Sequence, residues 1–144
     1  MSFNIKLPEK KLYIILILCA IIICLNSIEV MMNVKDIELY EEWISNQEDI
    51  EDYELYVTWN LSYYFIKIII PMVFGIYTYF ASKYIRINRI YVYIWSILLL
   101  VSFIISLIEL KFDSIFYYIS ILSYIILIFT LLYLIKFINN RENS

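Results

Sequence analysis

The sequence predicts an all-α, polytopic membrane protein: a four-transmembrane-helix bundle with a short amphipathic helix in the first outer loop. Four apolar stretches carry this reading, at about 12–32, 57–81, 90–110 and 115–137. Each has about the 20 residues that cross a hydrocarbon core as a helix. Composition agrees: 63% of residues are hydrophobic and 17% charged, with mean hydropathy +0.78. A soluble domain is nearer half apolar with about a quarter charged. A chain of 144 residues leaves too much of its surface exposed to hide that excess in a water-soluble core. The third observation is the distribution of Lys and Arg, which alternates between the two sides that four spans define.

The stretches do not alternate polar and apolar residues over about ten positions, as strands of an outer-membrane barrel would. In lipid the backbone must satisfy its own hydrogen bonds, so a long apolar run defaults to helix even where Ile dominates. Frequent Ile, Tyr, Asn and Lys reflect AT-rich codons and point to a bacterial source. The first stretch follows Lys6, Lys10 and Lys11, like a signal peptide. Its apolar part exceeds the usual h-region and no Ala-x-Ala-like site follows, so a retained helix is expected. Connections between the second, third and fourth stretches are short, which implies antiparallel neighbours. One membrane domain covering 1–144 is expected, with no repeat or linker.

Orientation follows from positive charge. Lys6, Lys10, Lys11, Lys83, Arg86, Arg89, Lys136 and Arg141 fall on one side, and only Lys35 and Lys111 on the other. Both termini and the 82–89 loop are therefore expected in the cytoplasm of a cell with this protein in its plasma membrane. The 33–56 loop and the tight 111–114 turn are expected outside. Trp43, Tyr56 and Trp59 then lie near the outer interface, where amphipathic rings are favoured.

In the 33–56 loop, Val34, Ile37, Tyr40 and Ile44 recur at helical spacing with Glu38, Glu41 and Glu42 between them. This pattern predicts the amphipathic helix, ending at Ser45–Gln47. An acidic cluster follows: Glu48, Asp49, Glu51, Asp52 and Glu54. Carboxylates suit a hard cation, but the loop contains no Gly and lacks the Asp-x-Asp-x-Asp-Gly arrangement of a calcium loop. It reads as a solvated acidic face, and no metal site is expected. The alternatives are a basic extracellular partner or a weakly bound cation.

Asn60, Tyr64, Lys67, Pro71, Gly75, Thr78 and Ser82 step by three, four or seven along the second stretch. At 100° per residue they share a sector of roughly 80°. Small and polar residues on one face of a membrane helix face other helices, not lipid. Pro71 is expected to kink this helix. Lys67 lies about 15 Å from the outer boundary at 1.5 Å per residue, where a lone charge costs at least about 2.5–3.5 kcal/mol. Its candidate partners are Glu29, on a face with Cys19, Asn26 and Asn33, and Glu109, on a face with Ser102 and Ser106. Both are shallower, but a lysine stem can snorkel outward to meet them. Glu29, Asn60, Lys67 and Glu109 thus form a candidate intramembrane polar cluster. It is either a packing ion pair or an outward-opening pocket. Ser120, Ser123 and Thr130 mark a packing seam on the fourth stretch.

Several function classes recede. The chain has no His, the commonest general base and metal ligand. Cys19 and Cys24 lie about 140° apart on a helix and lack the Cys-x-x-Cys spacing of thiol redox chemistry. A formal net charge of -3 argues against nucleic acid. No catalytic residue or cofactor is expected. The partners expected are the lipid bilayer, together with another membrane protein or a second copy of the chain. The leading expectation is a non-enzymatic membrane protein acting through protein–protein interaction, as an accessory, protective or sensory subunit. The alternative is an oligomeric small transporter or channel with Lys67 lining an outward-facing pocket.

Overall fold

A computed structural model describes residues 5–47 and 52–143 of the chain. They form five helices: α1 Glu9–Lys35, α2 Ile37–Ser45, α3 Tyr53–Lys83, α4 Arg89–Ile108 and α5 Ile115–Glu142. α1, α3, α4 and α5 are each long and apolar enough to cross a membrane. Three of them outrun their apolar stretches, and side-chain caps mark the starts of α2, α3 and α4. Asp52 opens α3 by accepting from the Glu54 amide at 2.9 Å. Asp36 ends α1 and opens α2, accepting from the amides of Glu38 at 3.0 Å and Leu39 at 3.3 Å. Asn88 opens α4 through the Tyr91 amide at 2.9 Å. Each cap satisfies amide donors that a helix start leaves unpaired.

The long helices pack in the cyclic order α1, α3, α4, α5, with α5 returning to α1. Ile15, Cys19 and Ile22 of α1, Phe74 of α3, Leu99 of α4 and Leu127 of α5 belong to the buried core. Cys24 is exposed while Cys19 is buried, and both are free thiols. Pro71, Gly75 and Thr78 of the α3 stripe are buried, joined by Ile68, Phe74 and Ala81. Asn60, Tyr64, Lys67 and Ser82 are half-buried. α3 continues through Pro71, whose missing N–H removes the usual partner of the Lys67 carbonyl. Ser120, Ser123 and Thr130 are buried on α5.

Hydroxyl pairs bridge neighbouring helices along the bundle. Ser27 meets Tyr64 at 2.5 Å between α1 and α3. Thr78 meets Tyr91 at 2.6 Å between α3 and α4. Ser102 meets Tyr124 at 2.8 Å between α4 and α5. At the basic end, Ile5 and Ile87 exchange two backbone hydrogen bonds of 2.9 Å, which seats the segment before α1 on the α3–α4 connection. Leu7 and Ile87 are buried there.

α2 lies at the other end, beside the start of α3. Tyr40 and Trp43 turn toward Tyr56, with ring centroids 5.2 and 5.5 Å away. Ile37, expected on the packed face, is 71% exposed. The contact face of α2 is therefore set by its aromatic residues. The hydroxyls of Tyr53 and Tyr56 donate to the carbonyls of Val34 and Asn33 at 2.9 and 2.7 Å. The Val34 bond satisfies a carbonyl at the C-terminal turn of α1, and the Tyr56 bond adds a second donor to the Asn33 carbonyl, which also accepts from the Asp36 amide at 3.3 Å.

Gly75 is the chain's single glycine. A Cβ built on it would sit 3.5 Å from the Cys19 Cβ and 4.0 Å from a Leu16 methyl. That is ordinary contact, with no space beyond it. Gly75→Ala is expected to leave the melting temperature of the detergent-solubilised protein nearly unchanged, whereas Gly75→Leu lowers it by forcing α1 from α3. Thermal melting followed by size-exclusion chromatography reads both.

Candidate functional site: a four-charge cluster beneath an aromatic cleft

Lys67, on α3, reaches toward the α2 end of the bundle. Its Nζ donates to Glu109 Oε2 at 2.9 Å and lies 3.6 Å from Glu29 Oε2. Lys111 completes the set, donating to Glu29 Oε1 at 2.8 Å and lying 3.8 Å from Glu109 Oε2. The other Glu109 oxygen, Oε1, accepts from the Tyr63 hydroxyl at 2.8 Å. Two ammonium groups and two carboxylates thus close a neutral ring. The side chains of Lys67 and Glu109 are only 9% and 7% exposed. Glu29 is similarly covered, and Lys111 stands at the accessible edge.

Chain geometry explains how both ends of the α4–α5 turn enter one ring. Glu109 caps α4, and Leu110 follows with φ 48°. Glycine usually supplies this left-handed conformation after a helix, and a branched side chain there costs roughly 1–2 kcal/mol. Leu110 is exposed, while its neighbours Glu109 and Lys111 both engage the ring. The ion pairs on either side hold the turn in this conformation.

Of the four residues read from sequence, Glu29, Lys67 and Glu109 come together. Asn60 stays outside the ring, because its Nδ2 donates back to the Tyr56 carbonyl at 2.9 Å. It lines a small polar cavity beside Lys67, together with Asn26, Glu29, Asn33 and Tyr64. The cavity volume is ≈ 20 Å³, room for about one water molecule. Sequence reasoning missed Lys111 and Tyr63. From sequence, Lys111 reads simply as part of an outward turn. Its spacing of two from Glu109 was the available signal, but only the left-handed Leu110 puts both on one side. Tyr63 precedes the stripe residue Tyr64, and its exposed ring gave no sign that its hydroxyl would reach Glu109.

Above the ring a cleft of ≈ 1050 Å³ opens at the α2 end. It lies among α2, the adjoining ends of α1 and α3, and the turn that leads into α5. Trp43, Tyr56, Trp59, Phe112 and Phe116 give it aromatic walls. Glu29, Asn33, Asn60 and Lys111 line both the cleft and the small cavity, so the Glu29–Lys111 side of the charged ring forms the floor of the cleft. Glu42, Asn46 and Asp113 supply polar positions.

The acidic cluster read at Glu48, Asp49, Glu51, Asp52 and Glu54 falls partly outside the described residues, which exclude Glu48, Asp49 and Glu51. Asp52 is the α3 cap, so at least one of these carboxylates has a structural task. Among the described residues no group of three or more His, Cys, Asp or Glu side chains is arranged to hold a metal ion. No protein-family model, curated protein or solved structure matches the chain.

Removing one member of a buried ion pair strands its partner and typically costs about 3–5 kcal/mol. Lys67→Met is therefore expected to destabilise the protein strongly, and Glu109→Gln in the same chain to restore part of the loss. A double-mutant cycle on denaturant midpoints measures this. Strictly additive effects of the two changes would contradict the coupling.

Proposed function

We propose that this chain is a four-span plasma-membrane protein that acts without catalysis, through protein–protein interaction at its α2 end. The bundle crosses the bilayer with the α2 end outside and with both described termini and the α3–α4 connection in the cytoplasm. The eight-to-two distribution of Lys and Arg supports that orientation. α2 then lies at the outer interface as an amphipathic element, its aromatic residues against α3 and its carboxylates toward water.

The observation that carries the reading is the contrast between ring and cleft. Every charge of the ring is matched inside it, and the adjoining cavity holds about one water. A ring so matched fastens helices. The cleft above offers aromatic walls and polar positions to something outside the chain. Concave, mostly apolar surfaces with a few polar groups are the usual form of a binding site.

The second reading is an oligomeric transporter or channel. It draws on the shared lining of cleft and cavity, which connects Lys67 to the cleft's floor. Intramembrane lysines commonly mark ion or proton paths.

For orientation, cysteines introduced at Ser45 and Asn140 in a Cys24→Ser chain are expected to label oppositely with a membrane-impermeant maleimide on intact cells. Ser45→Cys should react at once and Asn140→Cys only after permeabilisation. The reverse order would invert the topology. For function, a photo-crosslinking residue at Asn46 is expected to trap one discrete protein partner in native membranes. The purified chain in liposomes is expected to pass no more ions than empty liposomes. Flux abolished by the Lys67→Met, Glu109→Gln double change would transfer the assignment to the second reading.

A further inference from the structure

We propose that the cleft at the α2 end receives a basic, amphipathic segment of another polypeptide, with its apolar side chains among the aromatic walls and its cationic groups along α2. This rests on the interaction reading above and names the chemistry of the partner.

Three features select that occupant. The first is size. At ≈ 1050 Å³ the cleft is at the upper limit of small-molecule pockets, roughly 300–1,000 Å³, and it has room for several side chains. A single ion would need neither that volume nor apolar walls.

The second is charge. From Asp36 to Glu54 the sequence carries nine carboxylates and no Lys or Arg. Glu42 on α2 and Asp113 on the turn bring this sign to the cleft itself. Lys111, the lysine at the floor, is already committed to Glu29 at 2.8 Å. An anionic lipid headgroup therefore meets repulsion along the rim and a neutralised lysine within. A second copy presenting the same end brings the same negative sign, and eight of its eleven Lys and Arg residues lie toward the opposite end of the bundle.

The third is shape. α2 runs nine residues, about 13 Å at 1.5 Å per residue, and lines one side of the cleft with Leu39, Glu42, Trp43 and Asn46. That recurrence at three and four residues presents a linear track, which suits a peptide helix better than a compact ligand. Trp43 and Trp59 add ring faces that attract ammonium or guanidinium groups.

The test uses the full chain in nanodiscs of zwitterionic phosphatidylcholine, with a fluorescently labelled amphipathic Lys/Leu peptide as probe and its Glu/Leu counterpart as control. The Lys/Leu peptide is expected to bind above its level on empty nanodiscs and to weaken as salt rises, because exposed charges are screened. The Glu/Leu peptide is expected not to bind. Ser114→Trp places a ring in the cleft at a position whose side chain makes no cap bond. It is expected to weaken binding by about tenfold or more, the scale of a lost central anchor. Glu42→Lys with Asp113→Lys changes exposed residues, leaves the fold intact and is expected to do the same. This pair covers the case in which Ser114→Trp disturbs folding.

No binding above empty nanodiscs, or equal binding by wild type and the charge-reversed chain, overturns the proposal. So does tightly held anionic lipid that the Lys/Leu peptide does not displace, or a dimer that Ser114→Trp dissociates. The Asn46 crosslink separates the two levels. A discrete adduct without Lys/Leu binding leaves the interaction reading standing and removes the basic segment. Absence of both removes the interaction reading as well.

Discussion

The pairing of Lys67 with Glu29 and Glu109 is the constraint on which the α2 end of the structure depends. A charge on an apolar helix is tolerated only with a partner, and here the partners lie on two other helices. α1, α3 and the end of α4 must therefore reach one point together. Lys111 then ties the α4–α5 turn to the same point and balances the second carboxylate. Apolar side chains lack this power of selection, because burial against any apolar surface satisfies them. Buried Ile and Leu fill the bundle, but they permit many registers. The ring permits one, and the unfavourable backbone of Leu110 persists because both of its neighbours are held by the ring.

The remaining polar contacts extend this logic down the bundle. Ser27–Tyr64, Thr78–Tyr91 and Ser102–Tyr124 each join a different pair of adjacent helices. Their strength is modest, since hydroxyl bonds between membrane helices average well under about 1 kcal/mol in double-mutant cycles. Their value is positional: each fixes rotation at one level. The two ends are closed by different means. Tyr53 and Tyr56 bind the last carbonyls of α1 at the α2 end, and a short backbone pairing seals the basic end. Among the described residues the α2 end leaves a large concavity, because α2 and the α4–α5 turn stand above the ring without meeting over it.

The helices were legible in the sequence because long apolar runs, bounded by charge, have few other solutions. Their ends were not, since Asp36, Asp52 and Asn88 act through local capping that hydropathy does not register. The nine-residue α2 was expected from period alone. Its orientation was not, because Ile37 is outweighed by the contact of Tyr40 and Trp43 with Tyr56. At the site, the cost of an isolated charge pointed from Lys67 to Glu29 and Glu109. The same reasoning passed over Lys111, since a lysine at a helix boundary needs no partner. It grouped Asn60 with Lys67 and its partners, and Asn60 does line the cavity beside Lys67 while its amide turns back to its own helix. Spacing reports which face a residue occupies and stays silent on whether its side chain bonds backward or across. The cleft was invisible for a related reason: its walls come from segments far apart in sequence, and no local pattern announces a space between them.

The neutrality of the ring has a consequence for where recognition can occur. Two matched ion pairs expose little net field, so an approaching molecule senses chiefly the exposed carboxylates of α2 and Asp113. These lie at the accessible end, where an opposite charge would be drawn in before any apolar contact forms. Aromatic walls become useful at the second stage, when apolar groups leave water or the bilayer interface. A partner recognised in that order needs both features in one segment, positive charge on one face and bulky apolar groups on the other. The buried ring contributes indirectly, by fixing α1, α3 and the α4–α5 turn so that the walls stand apart before anything binds. Such preorganisation lowers the ordering cost of association, which is why residues that never touch the proposed partner still govern how well the cleft could hold it.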